Sequence, residues 1–223
     1  NVMTETMTLS RRDFVIGGAA ATAGLSLGFQ IPLGSGEALA QASHPDEINA
    51  WVVVKPNEQV IIRIARSEMG QGSLTGLAQL VAEELECDWS KVTTEYPTPA
   101  TNLERGRVWK SFSTGGSRGI RESHDYVRKG GAAAREMLIA AAAKKWDVNP
   151  SECKADKGVI THAASGKKTT FGKVAVAASK LEVPEKVILK DPKDWKIAGK
   201  PLKRLDTADK LTGKQVYGAD LEL

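Results

Sequence analysis

Two short glycine-rich stretches, Gly70-Gln71-Gly72 and Thr114-Gly115-Gly116-Ser117, have the residue types and spacing to hold a ligand. Glycine lets backbone come close to a bound group, and a helix starting just after Gly72 would offer unpaired N–H groups to an anion. Gln71 can both donate and accept, which suits the amide-like edge of a heterocycle. The second stretch sets paired glycines between hydroxyls, an arrangement that forms a backbone nest for phosphate oxygens. Together they point to one phosphate-bearing organic cofactor. Each alone also fits a plainer role, the first as a tight turn and the second as a linker. The first is not a phosphate loop of the Gly-Lys-Ser/Thr kind, and it lacks the third glycine of the dinucleotide fingerprint.

No other residues assemble into a site. His44, His124 and His162 lie far apart without a carboxylate or cysteine at ligand spacing, and no Ser/His/Asp set can be built. Glu83, Glu84 and Glu86 read as a solvated helical face. No catalytic residue and no metal ligand is therefore assigned. Two cysteines and three histidines are too few for a closed zinc site. Cys87 and Cys153 could form a disulfide in an oxidising compartment or remain buried thiols. A net charge of +4 with 5% aromatic residues gives no basic face or stacking platform, which argues against nucleic acid as a partner.

The elements that must carry the two stretches follow from periodicity. Asn49–Val54 and Gln59–Ile64 read as a hairpin around Pro56-Asn57-Glu58. Leu74–Leu85 has a helical apolar stripe with Ser73 as its cap. Val92–Tyr96 reads as a strand and residues 101–113 as a polar connector. Ala132–Lys145 is a helix whose alanine density implies close packing against a neighbour. A second hairpin pairs 152–155 with 158–162, and Thr170 caps a helix over 171–180. From Pro184 to Lys214, lysines alternating with acids and prolines predict a solvated connector, with a strand near Gln215–Gly218. The fold class is α+β, with hairpins and helices in one domain and the start of a second after it.

The amino-terminal segment carries Ser10-Arg11-Arg12-Asp13-Phe14-Val15, then a Gly/Ala-rich apolar run and the small-residue triplet Ala38-Leu39-Ala40. This is the arrangement of an export signal of the twin-arginine type over residues 1–40, with a periplasmic location and membrane association left open. A buried Gly/Ala helix or an uncleaved anchor are the alternatives. The twin-arginine route carries folded proteins, often with a cofactor already inserted, so a cofactor enzyme is the leading class.

The chain resembles the amino-terminal part of the molybdenum-containing β subunits of the isoquinoline 1-oxidoreductase type, within the xanthine dehydrogenase/aldehyde oxidase superfamily. The resemblance rests on the leader, Glu68-Met69-Gly70-Gln71-Gly72, Ser113-Thr114-Gly115-Gly116-Ser117, Gly131–Leu138 and Arg204–Gly213. It implies that Gly70, Gln71, Gly72, Thr114, Gly115, Gly116 and Ser117 contact a molybdopterin, in bacteria usually its cytosine dinucleotide form. It implies a partial molybdopterin-binding domain over 41–183, a linker over 184–203 and the beginning of the next domain over 204–223. The family's base glutamate and a third loop bearing a glutamine have no match here. The implied partners are an iron–sulfur small subunit, which alone would carry the clusters, the remaining part of the molybdenum subunit, and a small-molecule substrate. A peripheral membrane electron acceptor is one outcome of that reading. The implied activity is hydroxylation of an N-heterocycle or aldehyde with water as oxygen source; the alternative is a non-catalytic exported α/β interaction module.

Overall fold

Val52–Val54 and Val60–Arg63 are runs of β-branched residues separated by turn chemistry, and they pair as an antiparallel hairpin (β2 and β3) in the register Val52 to Ile62. The computed structural model describes residues 46–220; the export-signal reading falls on residues outside those described. A short strand β1 (Glu47–Asn49) precedes the hairpin, and β4 (Val92–Glu95) joins β3 in parallel, giving a four-stranded sheet of order β1-β2-β3-β4. The parallel pair needs a crossover, and helix α1 (Ser73–Leu85) supplies it.

The expected single strand 49–54 is broken at Ala50-Trp51. The cause is Asn49, whose side-chain oxygen accepts from the N–H groups of Trp51 and Val52 at 2.9 and 3.1 Å. Its amide nitrogen donates to the carbonyl of Gly130 at 2.9 Å, tying the turn to the helix that carries Gly130. Nor is 101–113 only a polar connector. Thr98 caps a short helix α2 (Pro99–Glu104), and beyond it Trp109 is almost fully buried, its indole N–H donating to the Ala50 carbonyl at 3.0 Å. The Arg63 and Arg105 guanidinium groups lie over that ring.

After a four-residue helix α3 (Arg118–Arg121), α4 runs from His124 to Trp146, eight residues earlier than its strong helix formers predict. Gly130 and Gly131 hid this stretch because their low propensity argues against helix. Their function is packing. A Cβ at Gly131 would stand 2.4 Å from the Val81 carbonyl oxygen of α1, and one at Gly130 would stand 2.5 Å from the Trp51 ring. The close approach expected of the alanine-rich helix is thus made, and it is made against α1.

The second hairpin is present as β5 (Cys153–Asp156) and β6 (Val159–His162), and a third strand β7 (Lys167–Thr170) completes an antiparallel sheet. His162 is buried between the Ser165 hydroxyl at 2.7 Å and the Glu152 carboxylate at 3.1 Å, so it ties the strand ends together. Helix α5 (Phe171–Ala178) follows. Thr170 sits at its N-cap position, but its hydroxyl goes to Glu58 at 2.6 Å rather than to the helix. One apolar core joins both sheets with α1, α4 and α5. Among the described residues, no helix is long and apolar enough to cross a membrane.

Two expectations are corrected by packing. Glu83 and Glu84 are not a solvated face, since both are about 1% exposed or less. The lysine-rich segment is exposed over most of its length, as a connector should be, but it is not free: residues 190–198 are tied along α1 as a strap. The Glu83 carboxylate accepts from the Lys190 ammonium and from the backbone N–H groups of Lys196, Ile197 and Ala198. Glu84 accepts from Arg128 at 2.8 Å and from the Lys190 N–H at 3.1 Å. No strand forms near Gln215–Gly218; the chain there follows a short helix α6 (Thr207–Leu211) into a single 3-10 turn.

Cys87 and Cys153 are both buried and free, so the disulfide alternative does not hold. Burial pushes the Cys87 thiol up to about 12 and also raises Cys153. A thiol that stays protonated is a poor nucleophile. The expected result with a thiol-specific reagent is two equivalents titrated after denaturation and none in the native protein. A protein showing no thiol after denaturation without reductant would carry the bond after all.

Candidate functional site

The residues following β3 build the site. Ile64, Ala65 and Arg66 are buried, and the chain emerges at Ser67 into the loop Ser67–Gly72, which feeds directly into α1. Gly70 and Gly72 sit at φ 102° and 83°, conformations that only glycine adopts readily, so the two glycines are set by backbone geometry. Gly72, not Ser73, is the residue at the N-cap of α1.

Among the described residues the N–H groups of Gln71 and Ser73 have no acceptor, but three other amides at this helix start are not free, contrary to what a bare helix start implies. The Glu68 carboxylate takes them: one oxygen accepts from Gly70 at 2.7 Å and Gly72 at 2.9 Å, the other from Leu74 at 3.0 Å. Burial alone would push this carboxyl up, but the three amides and the Arg204 charge outweigh it and hold it below the usual range. The Gln71 amide is likewise engaged inside the loop. It accepts from Met69 N–H at 2.6 Å and donates to the Ser67 carbonyl and the Ser73 hydroxyl at 2.9 and 2.6 Å. Its edge therefore faces the protein in this structure. The signal for Glu68 was present in the sequence, an acid four residues before the N-cap Gly72, close to a helix start where the dipole favours negative charge.

The second loop stands beside the first. The Thr114 hydroxyl donates to the Ser67 carbonyl at 3.2 Å, and a Cβ at Gly119 would lie 3.3 Å from Ser73. Beneath both loops runs Arg66, 2% exposed, which donates to the Ser123 hydroxyl at 2.9 Å and to the Ser113 carbonyl. Nothing in the neighbouring sequence marks this arginine, because its partners come from residues some fifty positions on.

Here the amides are open. Among the described residues, none accepts from the backbone N–H groups of Gly115, Gly116 or Ser117. A Cβ at Gly115 or Gly116 would meet nothing within 4 Å. Gly116 and Ser117 both have left-handed backbone, at φ 67° and 60°. The exposed side chains of Arg118 and Arg121 follow, Arg121 donating to the Gly116 carbonyl at 3.2 Å. The open amides, the Ser117 hydroxyl and the two exposed guanidinium groups, paired with Glu122 at 3.6 and 3.8 Å, form a donor set that fits a phosphate-bearing group. The structure thus brings all seven expected residues to one side but divides their roles: the first loop is largely engaged internally, and the second is open.

A third element closes on the first loop. Arg204 donates to the Gly70 carbonyl at 2.9 Å and pairs with Glu68 at 3.2 Å and Asp206 at 2.8 Å. Paired with Arg204 and Lys210, Asp206 is held far below the usual carboxylate range. Between this arm, Tyr96 and the first loop lies a cleft of 610 Å³, into which Lys210 and residues 215–217 also project. Among the described residues, no group of three or more histidine, cysteine or acidic side chains could hold a metal ion.

The architecture is that of an α+β domain presenting two glycine loops side by side on a crossover helix and its neighbour. The chain belongs to the molybdopterin cofactor-binding domain family, whose model matches residues 11–218. It is 30% identical to a membrane-bound aldehyde dehydrogenase [pyrroloquinoline-quinone] of Gluconacetobacter polyoxogenes, over 98% of this chain and 28% of that protein. It is 26% identical to the isoquinoline 1-oxidoreductase subunit beta of Brevundimonas diminuta, over 98% of this chain and 32% of that one. The chain therefore spans about a third or less of the curated relatives it matches. Among solved structures, quinoline 2-oxidoreductase from Pseudomonas putida 86 aligns over 56% of this chain and 15% of its own, at 22% identity and a TM-score of 0.44.

Proposed function

We propose that this chain contributes the amino-terminal share of a molybdopterin site in an exported molybdenum hydroxylase. The enzyme would oxidise an electron-poor carbon, as in an N-heterocycle or an aldehyde. The observation that carries the reading is the open donor set at Gly115, Gly116 and Ser117, placed directly against the Gly70-Gln71-Gly72 loop in a chain of this family. Gly115, Gly116, Ser117 and Thr114 would hold the phosphate end of the cofactor through backbone amides and hydroxyls, with Arg118 and Arg121 balancing its charge. Gly70, Gln71 and Gly72 would face the pterin part. The cytosine dinucleotide form suits a bacterial member exported through the twin-arginine route to the periplasm.

When bound, the cofactor supplies the two-electron redox centre for the overall change of substrate C–H and water to C–OH, two protons and two electrons. The electrons would leave through an iron–sulfur partner subunit, because the two cysteines here are buried and too few for a cluster. The base and the substrate pocket would come from the remaining part of the molybdenum subunit, and residues 204–223 would lead into its next domain.

The test is composition of the native complex. Molybdenum and released CMP are expected in near-equal amounts. Their joint absence would favour a non-catalytic interaction module, and recovery of a pyrroloquinoline quinone in their place would overturn the reading. In the same complex, Gln71→Ala removes the three side-chain hydrogen bonds that hold the first loop and should lower molybdenum content about tenfold, the equivalent of ~1.4 kcal/mol. Full molybdenum content in that variant would remove Gln71 from the site.

A further inference from the structure

The Glu68 carboxylate occupies the place at the start of α1 where an anionic ligand would otherwise sit. Its side chain is 8% exposed and reaches three alternate amides of the loop, Gly70, Gly72 and Leu74. Arg204 closes it from the outer side, bonding both to the carboxylate and to the Gly70 carbonyl. The Glu68 N–H itself donates to the Tyr96 hydroxyl at 3.3 Å, so the residue is fixed at its backbone as well.

We propose that Glu68 is a positioning residue, an internal anion that forms the Gly70-Gln71-Gly72 loop in its working shape before any cofactor arrives. This inference rests on the cofactor reading above. Two consequences follow from the geometry. The loop's positive-φ glycines are held by the chain's own carboxylate, so a cofactor finds a loop already ordered. The slot at the α1 start is filled with negative charge, so the phosphate of the cofactor is directed to the open amides of residues 115–117.

The chemistry requires a carboxylate and not merely a polar side chain. A carboxylate only accepts, whereas a glutamine of the same shape has one oxygen and one NH2 group. In Glu68→Gln the oxygen can serve Gly70, Gly72 and Arg204, which turns the NH2 toward the Leu74 N–H, donor against donor. Glu68→Asp keeps the charge but is one methylene short of the three amides.

The experiment is hydrogen exchange read amide by amide on the full chain without cofactor, together with molybdenum content of the native complex. In the wild type Gly70, Gly72 and Leu74 should be protected. Glu68→Gln should speed exchange at Leu74 by about tenfold or more, with the interior of α1 and the strap unchanged. Glu68→Asp should recover part of the protection. Arg204→Met, a change at a partly exposed side chain, should speed Gly70 and Gly72 without unfolding the chain, which keeps the test open if the Glu68 variants fold poorly. Unaltered exchange at the three amides in every folded variant would overturn the proposal. If exchange responds as expected but the native complex holds no molybdenum, the cofactor reading fails while Glu68 keeps its positioning role. If molybdenum is present and the amides are insensitive, Glu68 loses that role while the cofactor reading stands.

Discussion

Glu83→Ala should lower the free energy of unfolding by about 3–5 kcal/mol, as expected when a buried, hydrogen-bonded charge partner is removed. The residue is 1% exposed, and its two oxygens serve four donors. One faces the Lys190 ammonium; the other accepts from three consecutive backbone N–H groups, Lys196 at 2.8 Å, Ile197 at 2.5 Å and Ala198 at 3.1 Å. Alanine would leave those amides without an acceptor in a place where water has little access. It would also leave Lys190 with Glu86 at 2.8 Å as its one ion-pair partner, beside the carbonyl of residue 83 at 3.4 Å. Glu83→Gln retains one oxygen and should fall between the two. Urea denaturation followed through tryptophan fluorescence measures this, with Trp195 in the strap as a local reporter. A loss under about 1 kcal/mol would mean that the strap is held by its apolar contacts and not by the carboxylate.

The same site fixes a pH dependence. Burial raises the Glu83 carboxyl, but Lys190 and the amides of Ile197 and Ala198 outweigh burial, and the folded value lies below the ordinary 4.5. A carboxylate depressed on folding contributes its stability above the unfolded value and loses it as pH falls through the folded one. The gap between wild type and Glu83→Ala should therefore be full at neutral pH and narrow only in acid below 4.5. Because the strap spans residues 190–198 and anchors on α1, its acid release would expose the face of α1 that it covers.

What the sequence made legible was set by neighbours in the chain. The hairpin around Pro56-Asn57-Glu58, the stripe of α1 and the pair β5–β6 all follow from local period and turn chemistry. What it hid was set by residues far away. Glu83 and Glu84 look solvated until residues more than a hundred positions later fold back over them. Asn49 breaks a strand partly because Gly130 holds its amide. Trp109 stands in a polar stretch and is buried by strands that precede it by some fifty residues. At the site, the spacing of glycines revealed the two loops but not the state of their amides. Glycine content is visible along one stretch of chain, whereas saturation of an N–H depends on which carboxylate points at it, and Glu68 points inward only once Arg204 and the helix start have placed it.

Gly131→Ala should destabilise the protein by about 3 kcal/mol, the upper part of the range for overpacking. In a solvated helix the same change would stabilise by up to ~1 kcal/mol, because alanine is the better helix former. Here contact decides the sign. The new Cβ would stand 2.4 Å from the Val81 carbonyl oxygen and 3.1 Å from the Glu84 Cβ. The nearer atom is backbone within α1, so no rotamer change relieves the clash and the two helices must part. Gly130→Ala meets Cδ1 and Cγ of the buried Trp51 at 2.5 and 2.6 Å, atoms near the base of a ring packed against Trp109 and Tyr126, and should be destabilising as well. Thermal or urea denaturation of the two variants measures both, and a gain in stability for Gly131→Ala would show that the helices do not approach so closely. The separation would also reach the site, since α1 starts at the loop that Glu68 shapes and α4 contributes the Gly130 carbonyl that holds Asn49. A methyl group buried between two helices should thus loosen amides at Gly70 and Gly72 without touching either loop.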